Sequence, residues 1–480
     1  MYATARIELS ALLRLAGPLI ASQLAHMLMI LTDTLMMARL SPEALAGGGL
    51  GAATYSFISI FCIGVIAAVG TLVSIRNGGN DREGVIRLTQ AGLWLAWLMG
   101  MAAALVLWNI GPVLLLLGQT PQNVANAEHF LLLLPLALPG MLSFMALRGF
   151  SAALGRAKPV MVVSIVATVV NYALNHMLIE GLYGLPRMGL VGIGMVTAIV
   201  STGMAVALAI YIGVHRSYQA YPIRHGLARL QWAALRELWR LGLPIGGTYA
   251  VEVGLFAFAA LCMGTMGSVQ LGAHQIALQI VSAAFMIPAG LSYAVTMRIG
   301  KHYGAGHLLA ARLTGRIGIG FGAVAMLGFA MVFWLVPEPL VGLFIDRDNA
   351  AFTDVFNLAV SLLAVAAWFE LFDGTQSIAM GAIRGLKDAK TTFLVGLGCY
   401  WLIGAPAAWL LAFQAHWGAV GVWWGLAVGL ACAAVSLTLA FEWRIGRMID
   451  LSGPTPPTGL PGPTDSHSGS PAARPKAEAC

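Results

Sequence analysis

Twelve apolar runs of twenty or more residues, separated by short polar breaks, leave this chain few ways to fold. They fall at about 9–38, 47–75, 88–108, 125–147, 159–181, 189–214, 237–264, 272–299, 314–336, 351–382, 392–412 and 418–443. A helix rising ~1.5 Å per residue needs about twenty residues to cross ~30 Å of hydrocarbon, so each run is long enough to span a bilayer. In water most of that surface would stand exposed, since 59% of the residues are hydrophobic and only 10% are charged, against roughly 25% charged in soluble domains. The expected fold class is an all-α integral membrane protein with twelve transmembrane helices and the lipid bilayer as its partner.

Charge supports that division and sets an orientation. With twelve spans, both termini and every even-numbered loop lie on one side, and 24 of the 27 Lys and Arg lie there or at the adjoining helix ends. The other side holds Arg39, Arg187 and Arg347. By the positive-inside rule both termini are expected in the cytoplasm, with the chain in a bacterial inner membrane. The net charge of +7 is spread over many loops rather than gathered in one module, which argues against nucleic acid as a partner. The five cysteines show no paired spacing, so neither a disulfide framework nor a metal site is expected.

The chain also repeats itself. Arg14, Leu15 and Pro18 recur 226 positions later as Arg240, Leu241 and Pro244; Leu45 recurs as Leu271, and Gly189 and Gly192 as Gly418 and Gly421. A repeat holding an even number of spans keeps its orientation in the membrane, so the expected architecture is two pseudo-symmetric, parallel six-helix lobes around a central cleft. The lobes are expected at 1–214 and 237–445, joined by a cytoplasmic loop at 215–236 and followed by a disordered cytoplasmic tail at 446–480, rich in Pro, Ser and Gly.

Four acidic residues fall deep within spans: Asp33, Glu252, Glu370 and Asp373, the last two one turn apart on the same helix face. All Lys and Arg are assigned to loops, helix ends or the tail, which leaves these acids without a basic partner at membrane depth. A charge at the bilayer centre costs at least ~2.5–3.5 kcal/mol, so each acid should be protonated, bound to a cation or facing a wet cavity. A carboxyl that binds either a proton or a cationic substrate, never both, exchanges one for the other. The acids are therefore the candidate coupling and substrate-binding groups. Asn171 and Asn175, one turn apart, could hydrogen-bond Asp33; His26, Thr197, Gln275 and Gln279 are further candidates for the polar lining of a cavity. No Walker A sequence and no His-Glu-x-x-His occurs, so energy is expected from an ion gradient, with no cofactor and no catalytic residue.

Three stretches carry a family resemblance: Asp33-Thr34-Leu35-Met36-Met37-Ala38; Gly272-Ala273-His274-Gln275-Ile276-Ala277-Leu278 leading to Phe285-Met286-Ile287-Pro288; and Gly381-Ala382-Ile383-Arg384-Gly385 followed by Lys387-Asp388. Up to about residue 445 the chain resembles the multidrug and toxin extrusion (MATE) family, in its NorM-like branch. The resemblance implies drug efflux driven by protons or sodium, acting on small cationic amphiphiles, with coupling carboxylates in both lobes. It likens Asp33 with Asn171, Asn175 and Thr197 to the family's N-lobe polar cluster, and Glu252 with Asp373 to its C-lobe cation site, a possible Na+ site. Two positions depart from the pattern: Arg39 stands where the family usually has glycine, and Phe369 where it often has tyrosine. Loss of that hydroxyl favours H+ over Na+. A monomer is expected. The competing readings are a flippase for lipid-linked precursors, which would be expected to need a basic cavity, and a membrane-embedded enzyme, which would need a nucleophile and base within the spans.

Overall fold

A computed structural model describes residues 2–40, 42–181, 188–226, 230–345 and 352–452. Among them are twelve helical segments long and apolar enough to cross a membrane: α1 (Ala5–Met37), α2 (Gly47–Gly78), α3 (Arg82–Trp108), α4 (Pro121–Ala153), α5 (Lys158–Ile179), α6 (Gly189–Val214), α7 (Trp232–Met266), α8 (Ser268–Gly304), α9 (Leu308–Leu335), α10 (Thr353–Gly385), α11 (Ala389–Gln414) and α12 (Gly418–Leu451). No strand occurs among the described residues.

Each half uses the same pairings. In the first, α1 packs on α5, α2 on α3 and α4, α3 on α4, and α6 on α4 and α5. In the second, α7 packs on α11, α8 on α9 and α10, α9 on α10, and α12 on α10 and α11. The halves meet where α1 crosses α8, α2 crosses α7, and α2 meets α8.

Glycine makes these crossings close. A Cβ on Gly64 would lie 2.6 Å from the Gly246 Cα, and one on Gly290 would lie 2.7 Å from the Ile20 Cα. Gly64 and Gly290 are 226 positions apart, as are Ile20 and Gly246, so the two crossings are copies of each other. Small residues are what allow membrane helices to approach this closely.

The repeated loops copy each other as well. After α4 the Arg156 N–H reaches the Ser151 carbonyl, and after α10 the Asp388 N–H reaches that of Ile383, the closing bond of a Schellman turn. The left-handed residue is Gly155 in the first loop and Lys387, at φ 63°, in the second.

Several sequence boundaries shift. The helix expected to start at 237 already begins at Trp232, so the 215–236 loop is shorter than expected and includes a 3₁₀ turn at Arg216–Tyr218. The last helix runs to Ser452 rather than ending before 446. Glu442 and Arg444 end the hydropathy run, but the helix continues beyond it, with Glu442 accepting hydrogen bonds from Arg312 (2.9 Å) and Arg316 (2.7 Å) of α9. The rest of the tail, Arg187, Arg347 and the side chain of Arg39 lie outside the described residues. In α11, Pro406 has no N–H to donate, and the turns flanking it, Gly398–Gly404 and Leu410–Gln414, are wound as π-helix.

Candidate functional site

Asp33, three turns after Ser22 on α1, faces α5 and α6. Its Oδ1 accepts hydrogen bonds from Asn175 Nδ2 (2.7 Å) and Asn171 Nδ2 (3.3 Å), and its Oδ2 accepts one from the Thr197 hydroxyl (3.0 Å). Asn171 and Asn175 are fully buried, and their four-residue spacing puts both amides on one face of α5. The Thr197 hydroxyl is equally close, at 3.0 Å, to the Ile193 carbonyl of its own helix. Asp33 and Thr197 open onto a cavity of about 170 Å³, also lined by His26, Tyr55, Ser59 and Ser201.

The second cluster belongs to α7, α10 and α11. Gln376, one turn beyond Asp373, donates from Nε2 both to Asp373 Oδ1 (3.0 Å) and to Glu252 Oε1 (3.2 Å). The Tyr400 hydroxyl of α11 donates to Gln376 Oε1 and fixes which end of the amide faces the acids. Glu252 and Asp373 line a cavity of about 420 Å³ between the halves, together with Gln23, Tyr249, Ser282 and Phe285. That volume suits a drug-sized molecule. Glu370 is different: it is fully buried beside the cluster, outside the cavity lining, and neither carboxyl oxygen has a hydrogen-bond partner.

The remaining sequence candidates are placed as follows. Gln275 is exposed and Gln279 half-buried, and neither lines the large cavity, to which α8 instead contributes Ser282 and Tyr293. Phe369 is fully buried, its ring packed edge-on against Phe256 (6.0 Å) and Trp423 (5.4 Å). A phenol reaches the cluster instead from α11, where Tyr400 bonds Gln376.

One expectation is corrected: arginines near helix ends send buried guanidinium groups inward, and one of them shares the cavity of the acids. Arg148 is 4% exposed, donates to Gln23 Oε1 at 2.6 Å and stacks over the Tyr293 ring at 4.8 Å. Arg384, 7% exposed, donates to the Tyr249 hydroxyl at 3.0 Å, stacks over that ring at 4.9 Å and lines the same cavity as Glu252 and Asp373. Arg148 lies five residues before the end of α4 and Arg384 in the last turn of α10, but their guanidinium groups turn inward onto tyrosines. The acids of the large cavity therefore share it with a cation. Gln376, Tyr400 and the two arginines are the site residues that the sequence reading missed; its place one turn after Asp373 was the available signal for Gln376.

The MatE family profile matches residues 18–177 and 244–410, one match in each half. The chain is 71% identical over 453 residues to a probable multidrug resistance protein NorM of Pseudomonas putida, covering 94% of this chain and 98% of that protein. It is 60% identical over 449 residues to the protein of the same name from Pseudomonas aeruginosa, covering 94% and 92%. The crystal structure of a eukaryotic MATE transporter superimposes with a TM-score of 0.81 over 93% of this chain and 99% of that one, at 21% identity, a likeness of fold. With the repeated six-helix arrangement and matches of this extent, the chain belongs to the MatE family of integral membrane transporters.

Proposed function

We propose that this transporter is a secondary antiporter that exports organic cations and other drugs across the bacterial inner membrane in exchange for H+, working as a monomer with both termini in the cytoplasm. The observation that carries the reading is that each half presents a carboxylate network compatible with two protonation states. At Asp33, Thr197 has one hydroxyl proton and two acceptors. When Asp33 is ionised, Thr197 donates to it. When Asp33 is protonated, the acid donates to Thr197 Oγ1 and the Thr197 proton turns to the Ile193 carbonyl. The cluster thus keeps its bonds while its charge changes by one.

In the other half, Glu252 and Asp373 are held by a single amide, and two such carboxylates repel each other when both are ionised. A proton or a bound cation relieves that repulsion, and a cationic drug in the cavity competes for the same charge. Sodium at this pair would have to displace the Gln376 N–H, or turn the amide over and break its bond from Tyr400. This supports protons as the coupling ion. Opposed binding of ion and substrate at the two faces of the membrane, with the lobes rocking about the α1–α8 and α2–α7 crossings, gives export.

The test is uptake of a fluorescent organic cation into inverted vesicles, driven separately by a pH gradient and by sodium. Uptake driven by the pH gradient and lost in Asp33→Asn, Glu252→Gln and Asp373→Asn is expected. No driven uptake with either gradient, or full uptake in all three variants, overturns the reading.

A further inference from the structure

We infer a second binding site, for the phosphate-bearing headgroup of an anionic phospholipid, in a crevice at the end of the second half that carries the interhelical basic loops. The crevice encloses about 710 Å³ between the start of α7, the end of α8 and the α10–α11 loop. Its cations are Arg236, Arg240, Lys387 and Lys390, and its acids Glu237 and Asp388.

Both acids are already paired. Glu237 holds Lys387 at 2.7 Å and Arg76 of α2 at 3.3 Å. Asp388 holds Arg444 at 2.8 Å and caps α11 through the Thr391 N–H at 3.2 Å. Arg236, Arg240 and Lys390 have no ion-pair or hydrogen-bond partner among the described residues. Three unanswered cations thus converge on one concavity, and a phosphate group, with several acceptor oxygens, is the anion that answers such a set.

The lipid assignment comes from the exposed face of α7 beside the crevice, which shares Arg236 and Arg240 with its lining. Trp232, Arg236, Trp239, Arg240 and Leu243 recur at helical spacing on α7, and Trp232 is 71%, Trp239 43% and Leu243 44% exposed. Tryptophans interleaved with arginines suit the headgroup level, and the leucine that follows them suits the start of the acyl chains. At 35 residues α7 is about 52 Å long, well beyond ~30 Å of hydrocarbon, so its first turns stand at headgroup level. Basic pockets between helices on the cytoplasmic side are suited to anionic headgroups. The placement in the inner leaflet rests on the orientation proposed above.

Positive-inside charge alone does not account for this crevice, because in the first half the loop equivalent to α10–α11 is covered by the chain itself. There the Arg156 guanidinium bonds the Ser217 carbonyl and stacks over the Tyr218 ring at 4.9 Å, while the Tyr218 hydroxyl meets Ser151 at 2.7 Å. The segment that covers it is the connection between the halves, which occurs only once.

The experiment is native mass spectrometry of the full-length protein in detergent, titrated with phosphatidylglycerol or phosphatidylcholine. The wild type is expected to retain one phosphatidylglycerol at least about tenfold more tightly than phosphatidylcholine, and R236Q/R240Q/K390Q is expected to lose that preference. A control, R82Q/R87Q/K158Q, removes three cations from the first half and is expected to keep it. Equal retention by the crevice variant, or equal loss in the control, overturns the site. Displacement of the lipid by millimolar inorganic phosphate overturns the lipid assignment in favour of a soluble anion. No gradient is involved, so failure of the antiport reading leaves this result standing. Labelling of Arg236→Cys by an impermeant thiol reagent in inverted but not right-side-out vesicles checks the leaflet, and the opposite pattern overturns it.

Discussion

Thr197 is more informative than its size suggests, because its single proton must choose between Asp33 and the Ile193 carbonyl. If that choice follows the charge on Asp33, Thr197→Ser should retain pH-driven uptake, whereas Thr197→Val should slow it about tenfold, equivalent to about 1.4 kcal/mol in the rate-limiting step. Equal uptake in all three proteins would make Thr197 a packing residue. The second cluster gives a matching expectation. Tyr400→Phe frees the Gln376 amide to turn its oxygen towards Glu252 and Asp373, replacing a donor with an acceptor. Sodium-driven uptake relative to pH-driven uptake should then rise, measured by the same vesicle assay with each gradient in turn; an unchanged ratio would mean the amide does not select the ion. The Asp33 set could be found in the sequence because four polar residues interrupt otherwise apolar runs. Gln376 was signalled only by its place one turn after Asp373; its bond to Glu252, and the bond it accepts from Tyr400, join helices distant in sequence and could not be read. Arg148 and Arg384 were assigned to the solvent side because hydropathy registers where a run ends but not which way a long side chain turns.

Helix crossings, rather than loops, hold the two halves in register, and glycine sets how near they come. Gly78 and Gly304, again 226 positions apart, sit where α2 and α8 meet: a Cβ on Gly78 would lie 2.0 Å from the Lys301 carbonyl oxygen, and one on Gly304 1.9 Å from that of Ile75. Backbone atoms cannot yield as a side chain does, so Gly78→Val and Gly304→Val should each destabilise the packed ends by roughly 1–3 kcal/mol, the usual range for overpacking. Thermal unfolding in detergent checks this. Gly203, with nothing within 4 Å of the position of an added Cβ, is the control expected to accept alanine unchanged. The repeat that makes these glycines equivalents was visible in the sequence from anchors such as Pro18 and Pro244, because the crossing geometry demands the same residues twice. Helix ends were less legible. The start of α7 at Trp232 and the extension of α12 to Ser452 lie beyond the hydropathy boundary, where the chain stays helical through ion pairs such as Glu442 with Arg316.

At the scale of the whole molecule, two ion pairs fasten one half to the other at the end where the halves are in contact. Glu8 of α1 receives both Nε (2.7 Å) and Nη2 (2.6 Å) of Arg298 on α8, with the Thr314 hydroxyl of α9 at 2.7 Å, and Glu237 of α7 holds Arg76 of α2. Each acid stands on the first helix of one half and its arginine on the second helix of the other, so the pair of bridges follows the internal two-fold. In the proposed alternating-access cycle this end must part, and both bridges break when it does. Hydrogen bonds to charged groups contribute about 1.5–3 kcal/mol, so removing both acids should raise the population open at this end at least tenfold. The measurement is a pair of spin labels at Arg87→Cys and Arg447→Cys, one on each half, in a chain whose own cysteines are replaced. Glu8→Gln with Glu237→Gln should move the distance distribution to longer values. The exchange Glu8→Arg with Arg298→Glu, which rebuilds one bridge with its charges reversed, should bring part of it back. A distribution that ignores the double neutralisation would mean that the glycine crossings alone hold this end shut, and that the bridges follow the closure rather than set it.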